Sequence, residues 1–189
     1  MRDYGLETAS GRKILRERLE IGMKWIGAVL CFCVSVAVGW MAGKNEKERT
    51  AQCEAFLEFF VYIQNQVSYF LAPTKLMYKN FRHEALQKTG FPEALCAHEE
   101  DEVYFDVWAR ALAECKDRLN LSEEQYEIVR AFGACIGKSN EELQRKHLEY
   151  YTNEMRAQTE KQRAQMQKNI KLYRTLGFSA GAAVLILVI

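Results

Sequence analysis

The sequence predicts an all-α protein, an antiparallel helical bundle flanked by N- and C-terminal transmembrane helices, and three observations predict it. The 189 residues include only 2 Pro and 11 Gly, so long stretches run without punctuation. Within those stretches apolar residues recur at three- and four-residue intervals instead of alternating. Two uncharged apolar runs stand near the two ends of the chain. A mean hydropathy of −0.28 is too polar for a multi-span transporter. The 49% hydrophobic and 12% aromatic content is too high for a disordered chain. Lys plus Arg number 26 against 25 Asp plus Glu, a balance that argues against bulk electrostatic binding of nucleic acid.

The first run, residues 25–43 (WIGAVLCFCVSVAVGWMAG), carries no charge. As a helix it is about 28 Å long, close to the hydrocarbon thickness of a bilayer. Trp25 and Trp40 sit near its ends and Lys24 and Lys44 bracket it, so residues 23–43 read as a transmembrane helix. The second run, residues 176–189 (LGFSAGAAVLILVI), gives only about 21 Å of helix. Arg174 and Lys171 can snorkel and draw Leu172 and Tyr173 into the boundary, which makes it a short second membrane helix. Small residues at four-residue spacing, Ser35, Gly39 and Gly43 in one run and Gly177 and Gly181 in the other, predict close pairing of the two helices or assembly with others.

Residues 44–175 read as the bundle. Cys53, Phe56, Leu57, Phe60, Ile63, Val67, Phe70 and Leu71 form one wide apolar stripe that Pro73 ends. A second helix is expected over residues 74–89, with Met77, Phe81 and Ala85 on one side, closing at Gly90 before Pro92. The acidic run Glu99, Glu100, Asp101 and Glu102 precedes a third, striped by Tyr104, Trp108, Ala111, Leu112, Cys115 and Leu119. Ser122 with Gln125 makes a capping box for a fourth, carrying Ile128, Val129, Phe132, Cys135 and Ile136. Gly137 ends that helix, and Ser139 with Glu142 caps a fifth that meets no breaker before Gly177. Leu143, Leu148, Tyr151 and Met155 are expected to pack onto the bundle. Residues 156–168 (RAQTEKQRAQMQK) are polar on nearly every face and read as a solvent-bridging stalk.

Lys44, Lys47 and Arg49 come after the first run, and Lys161, Arg163, Lys168, Lys171 and Arg174 precede the second, which places the bundle in the cytoplasm. Arg12, Lys13, Arg16 and Arg18 oppose that sidedness, so residues 1–22 read as an extension from a misassigned start, with translation beginning at Met23. Cys31, Cys33, Cys53, Cys96, Cys115 and Cys135 form no CxxC pair and are expected as reduced, packed thiols. His83, His98 and His147 form no metal pattern, and no GxGxxG, GxxxxGK[ST] or GxSxG motif occurs. The expectation is therefore no catalytic residue, no cofactor and no metal.

Three stretches resemble the stage III sporulation protein AB family of endospore-forming bacteria: MKWIGAVL from Met23, FGACIGKSNEELQ from Phe132 and NIKLYRTLGFSAGAAVLILVI from Asn169. The resemblance implies a membrane component of the apparatus joining mother cell and forespore, similar in its soluble domain to the platform protein F of type II secretion and type IV pilus machines. It implies residence in the mother-cell membrane facing the forespore. Implied partners are the stage III sporulation protein AA ATPase, other members of the same membrane complex, membrane lipid and further copies of the chain, with no nucleic acid. The contact surface is assigned to the turn Gly137, Lys138, Ser139 and Asn140 and to Arg156, Lys161 and Arg163 on the polar stretch. A two-span signalling protein acting through dimeric stalk helices is the alternative, weakened by an apolar repeat that fades after Met155. A membrane-tethered enzyme would need a pocket of convergent polar groups.

Overall fold

A computed structural model of the chain describes residues 4–69, 78–97, 103–137 and 141–188. Among them there is no strand. The helices are α1 (Tyr4–Tyr69), α2 (Glu84–Gln87), α3 (Phe91–Cys96), α4 (Tyr104–Glu114), α5 (Glu123–Gly133) and α6 (Glu141–Val188), with a short 3-10 turn over Lys116–Arg118. The chain divides into two compact units, Met1–Lys44 with Lys168–Ile189, and Asn45–Gln167.

The unit built from the ends of the long helices is held by small residues. A methyl group on Gly39 would stand 2.6 Å from the Tyr173 carbonyl oxygen, and one on Gly177 would stand 2.9 Å from that of Ser35. Backbones can approach this closely only where no Cβ intervenes. A side chain on Gly181 would likewise strike Phe32, whose ring meets Phe178 edge-on at 5.8 Å. The Ser35 hydroxyl donates to its own helix at Cys31 O, 2.9 Å, and so leaves no unpaired polar group in this apolar stretch. The predicted pairing of the two runs is thus observed. Gly177 does not interrupt α6, which continues to Val188.

The unit spanning Asn45–Gln167 has an aromatic core. Phe59 lies parallel to Trp108 at 5.9 Å, Phe60 parallel to Phe132 at 3.7 Å, and Phe91 meets Trp108 edge-on at 5.3 Å. Cys53, Phe56 and Ile63 from α1, Leu112 from α4, Val129 from α5 and Leu148 and Met155 from α6 complete it. Apart from Phe59 and Phe91, which the sequence reading did not include, these are the stripe positions the three- and four-residue spacing picks out. The indole N–H of Trp108 donates to Val129 O at 3.0 Å, so the largest core side chain has its polar atom satisfied. The Ser122–Gln125 capping box is present in both directions, with Ser122 N donating to Gln125 Oε1 at 2.9 Å and Gln125 N to Ser122 Oγ at 3.2 Å.

Four expectations need correction. The single helix over residues 74–89 is broken: residues 78–80 are helical, Phe81 to His83 are not, and α2 starts afresh. His83 is extended (φ −146°, ψ 124°), and its Nδ1 accepts from Ala85 N at 3.2 Å, capping the new helix. The break lets Phe81 turn onto Phe59 at 4.7 Å. Second, Gly90 at φ 75°, whose N–H donates to Gln87 O at 3.0 Å, does end the turn after α2, but it also opens an unexpected helix, α3, where Pro92 occupies the first turn. Third, Leu143 is exposed; on α6 the core takes Leu148 and Met155, with Tyr151 half-buried. Fourth, the stretch 156–168 is not free on all sides, because Thr159 and Gln162 within it are buried. The expected features at Phe70, Leu71, Pro73, Met77, Glu99 to Glu102 and Ser139 lie outside the described residues.

Candidate functional site

Of the seven positions singled out as a contact surface, Lys138, Ser139 and Asn140 lie outside the described residues. Gly137 comes after α5 at φ 79°, a conformation L side chains rarely adopt, and a Cβ there would stand 2.7 Å from the Tyr104 ring. Arg156 is exposed and its Nη1 donates to Asn153 Oδ1 at 2.8 Å, one turn back on α6. Lys161 Nζ stands 3.7 Å from Glu124 Oε2 on α5, and Arg163 Nε donates to Glu54 Oε1 on α1 at 2.5 Å. Glu124 is in the first turn of α5 and Gly137 lies beyond its end, about 15 Å apart along an 11-residue helix. Of the described positions, Lys161 and Arg163 pair with carboxylates on other helices, while Arg156 bonds only within α6 among the described residues.

Between those two residues Gln162, buried, donates from Nε2 to Glu46 Oε2 at 3.1 Å. Three consecutive residues of α6 thus engage three glutamates on two other helices. Beneath them the hydroxyl of buried Thr159 donates to its own Met155 O at 2.8 Å and lies 3.5 Å from Cys53 O of α1. Gln125, Gln144 and Thr152 are buried polar side chains as well. Sequence reading missed this polar seam because it assigned burial by apolarity, and the single signal for it is that Thr152, Thr159 and Gln162 share the face of Leu148 and Met155.

Two concave places carry charged and amide side chains. A cleft of about 490 Å³ is lined by Glu48, Gln52, His83, Glu84, Lys88 and Arg118. Two of its charges are committed to one another. Lys88 Nζ lies 2.7 Å from Glu84 Oε1, a bond that holds the Glu84 carboxyl below its ordinary value and raises the lysine. His83 Nε2 lies 3.7 Å from Glu58. The Gln52 amide bridges Arg118 O at 3.2 Å and Asn120 N at 2.6 Å. A second cavity, about 140 Å³, lies under α6, where Gln158, Lys161, Gln162 and Gln165 face Arg49 and Gln125. Among the described residues no three His, Cys, Asp or Glu side chains are grouped to hold a metal ion.

The thiols are free, with Cys53, Cys115 and Cys135 buried. Burial pushes the Cys53 thiol up to about 12, so it is a protonated packing group, not a nucleophile. Two helical stretches, Gly22–Val67 and Glu141–Leu187, are long and apolar enough to cross a membrane by length and composition.

Comparison with known proteins agrees with this architecture. The chain is similar to stage III sporulation protein AB of Bacillus subtilis (strain 168), at 21% identity over 168 residues that cover 87% of this chain and 98% of the relative. A solved structure of a stage III sporulation protein AB superposes with a TM-score of 0.53 at 18% identity, over 63% of this chain and 96% of that one, and shows the shared fold. This is a family of sporulation proteins and not a known enzyme family. Residues 24–189 match the sequence profile described as Stage III sporulation protein AB, and the chain belongs to that family.

Proposed function

We propose that the chain is a non-enzymatic platform component of the sporulation apparatus between mother cell and forespore, coupling a cytoplasmic ATPase of the stage III sporulation protein AA type to the membrane complex. The observation that carries this reading is the pairing of two membrane-length helices through Gly39 and Gly177 in a chain of this family. Trp25, Ile26, Leu30, Val34, Val38 and Trp40 expose large apolar surfaces, as a lipid-facing helix does. The Lys and Arg residues next to each run support a cytoplasmic bundle in the mother-cell membrane.

The test is co-purification of the full-length chain with the ATPase from sporulating cells, alongside protease treatment of intact protoplasts. Expected are ATPase recovery and a protected central region. Arg156→Glu probes the contact, because Arg156 is exposed and its hydrogen bond to Asn153 stays within its own helix. Recovery that stays below background with a correctly inserted chain, or digestion of the bundle from outside, would overturn the reading.

A further inference from the structure

The apolar core of the Asn45–Gln167 unit takes no side chain from α6 beyond Met155. Between Arg156 and Gln167 polar contacts join the helix to its neighbours. Thr159 lies over the Cys53 carbonyl, Gln162 bonds Glu46, Arg163 bonds Glu54, and Lys161 pairs loosely with Glu124. Gln158, Lys161, Gln162 and Gln165, one face at helical spacing, line a polar cavity of about 140 Å³. The Lys161–Glu124 pair is more than half-exposed, and Arg163 is 55% exposed against 34% for Glu54. Pairs of that kind contribute little individually and are screened by salt. Upstream, the same helix is anchored by two fully buried apolar side chains, Leu148 and Met155.

We propose that the α6 segment from Arg156 to Gln167 is a polar strap, closed by the Glu46, Glu54 and Glu124 contacts, that opens locally while the aromatic core stays intact. Segments with few buried apolar contacts have the lowest opening free energies, and cooperative opening respects such boundaries. Opening uncovers the acidic faces of α1 and α5 and the polar face of α6 together. The strap does not depend on the platform role, since it is a property of packing within one unit.

Native cysteines report it. The carbonyl of core residue Cys53 lies 3.5 Å from the Thr159 hydroxyl, so Cys53 is the core cysteine at the edge of the strap, whereas Cys115 and Cys135 are buried elsewhere in the same core. The full-length chain, in detergent or nanodiscs, is treated with N-ethylmaleimide under native conditions at about 0.05 M and 0.5 M NaCl, and labelling is resolved by peptide mass. The expected result is that Cys53 reacts about threefold or more faster at the higher salt, with Cys115 and Cys135 unchanged. Arg163→Gln should reproduce the fast rate at low salt, and the charge swap Glu54→Arg with Arg163→Glu should restore slow labelling. Hydrogen exchange of residues 157–167 should show the same pattern against α5. Equal labelling of all three cysteines at both salts, with residues 157–167 as protected as α5, overturns the proposal.

Discussion

Gly133 lies against the face of Trp108: a Cβ built on the glycine would overlap the indole ring. The same indole donates to Val129 O, one turn earlier on α5, so α4 and α5 are locked by a ring that needs a bare backbone beside it. Gly133→Ala should destabilise the bundle by about 1 to 3 kcal/mol through overpacking, measured by denaturant unfolding. Trp108→Ala should cost about 3 to 5 kcal/mol. The two should be strongly non-additive, because removing the indole removes the clash. An additive double mutant would show that the ring does not rest on Gly133.

Close approach of the two long helices depends on Gly39 and Gly177. Gly39→Val and Gly177→Val should each separate the pair, lowering the thermal midpoint of the purified protein in detergent and the yield of spores. Gly27→Val is the control, because no atom lies within 4 Å of a Cβ there. Equal effects at all three positions would trace the loss to glycine itself and not to helix contact.

The buried thiol makes a prediction about alkaline pH. Burial raises Cys53 from 9.0 to about 12, so the protonated native form has its full advantage below pH 9 and loses it as pH climbs from 9 toward 12. Stability should therefore fall over that window, and Cys53→Ala should flatten the fall at some cost in baseline stability. Burial also raises the Tyr78 phenol, which adds to the same decline. An unfolding curve whose alkaline slope is unaffected by Cys53→Ala would exclude the thiol as its source.

Tyr78 packs against Phe59 and Trp108, while its buried hydroxyl has no hydrogen-bond partner among the described residues. Leaving such a donor unpaired costs about 1 to 3 kcal/mol. Tyr78→Phe keeps the ring and drops that group, so it should be neutral or stabilising by about 1 kcal/mol in chemical denaturation. A loss above that size would mean the hydroxyl is bonded in solution.

Ser122→Ala removes the hydroxyl that accepts from Gln125 N, and the Gln125 side chain bonds back to Ser122 N. A cost of about 1 kcal/mol is expected in thermal unfolding, with helix content outside α5 unchanged. A cost near zero would show that water replaces the cap.

Much of this architecture is legible in the residues. The capping box at Ser122 and Gln125, the stripe through Phe56, Phe60 and Ile63, and the small-residue spacing of Gly39 and Gly177 are local patterns with local causes, and the structure obeys them. The break at His83 was not legible, because residues 78–87 read as continuous helix and only the pull of Phe81 onto Phe59 and Tyr62 favours interrupting it. The pairing of charges on the candidate contact surface was not legible either. Lys161 and Arg163 look like solvated charges in sequence, yet their partners Glu124 and Glu54 lie 37 and 109 positions away. By itself the sequence determined helical class, the capped start of α5 at Ser122 and the two apolar runs, since propensity, capping and periodicity act over a few residues. Only tertiary structure decided which polar side chains of α6 are buried and which charges are used up, because those depend on contacts between residues distant in the chain.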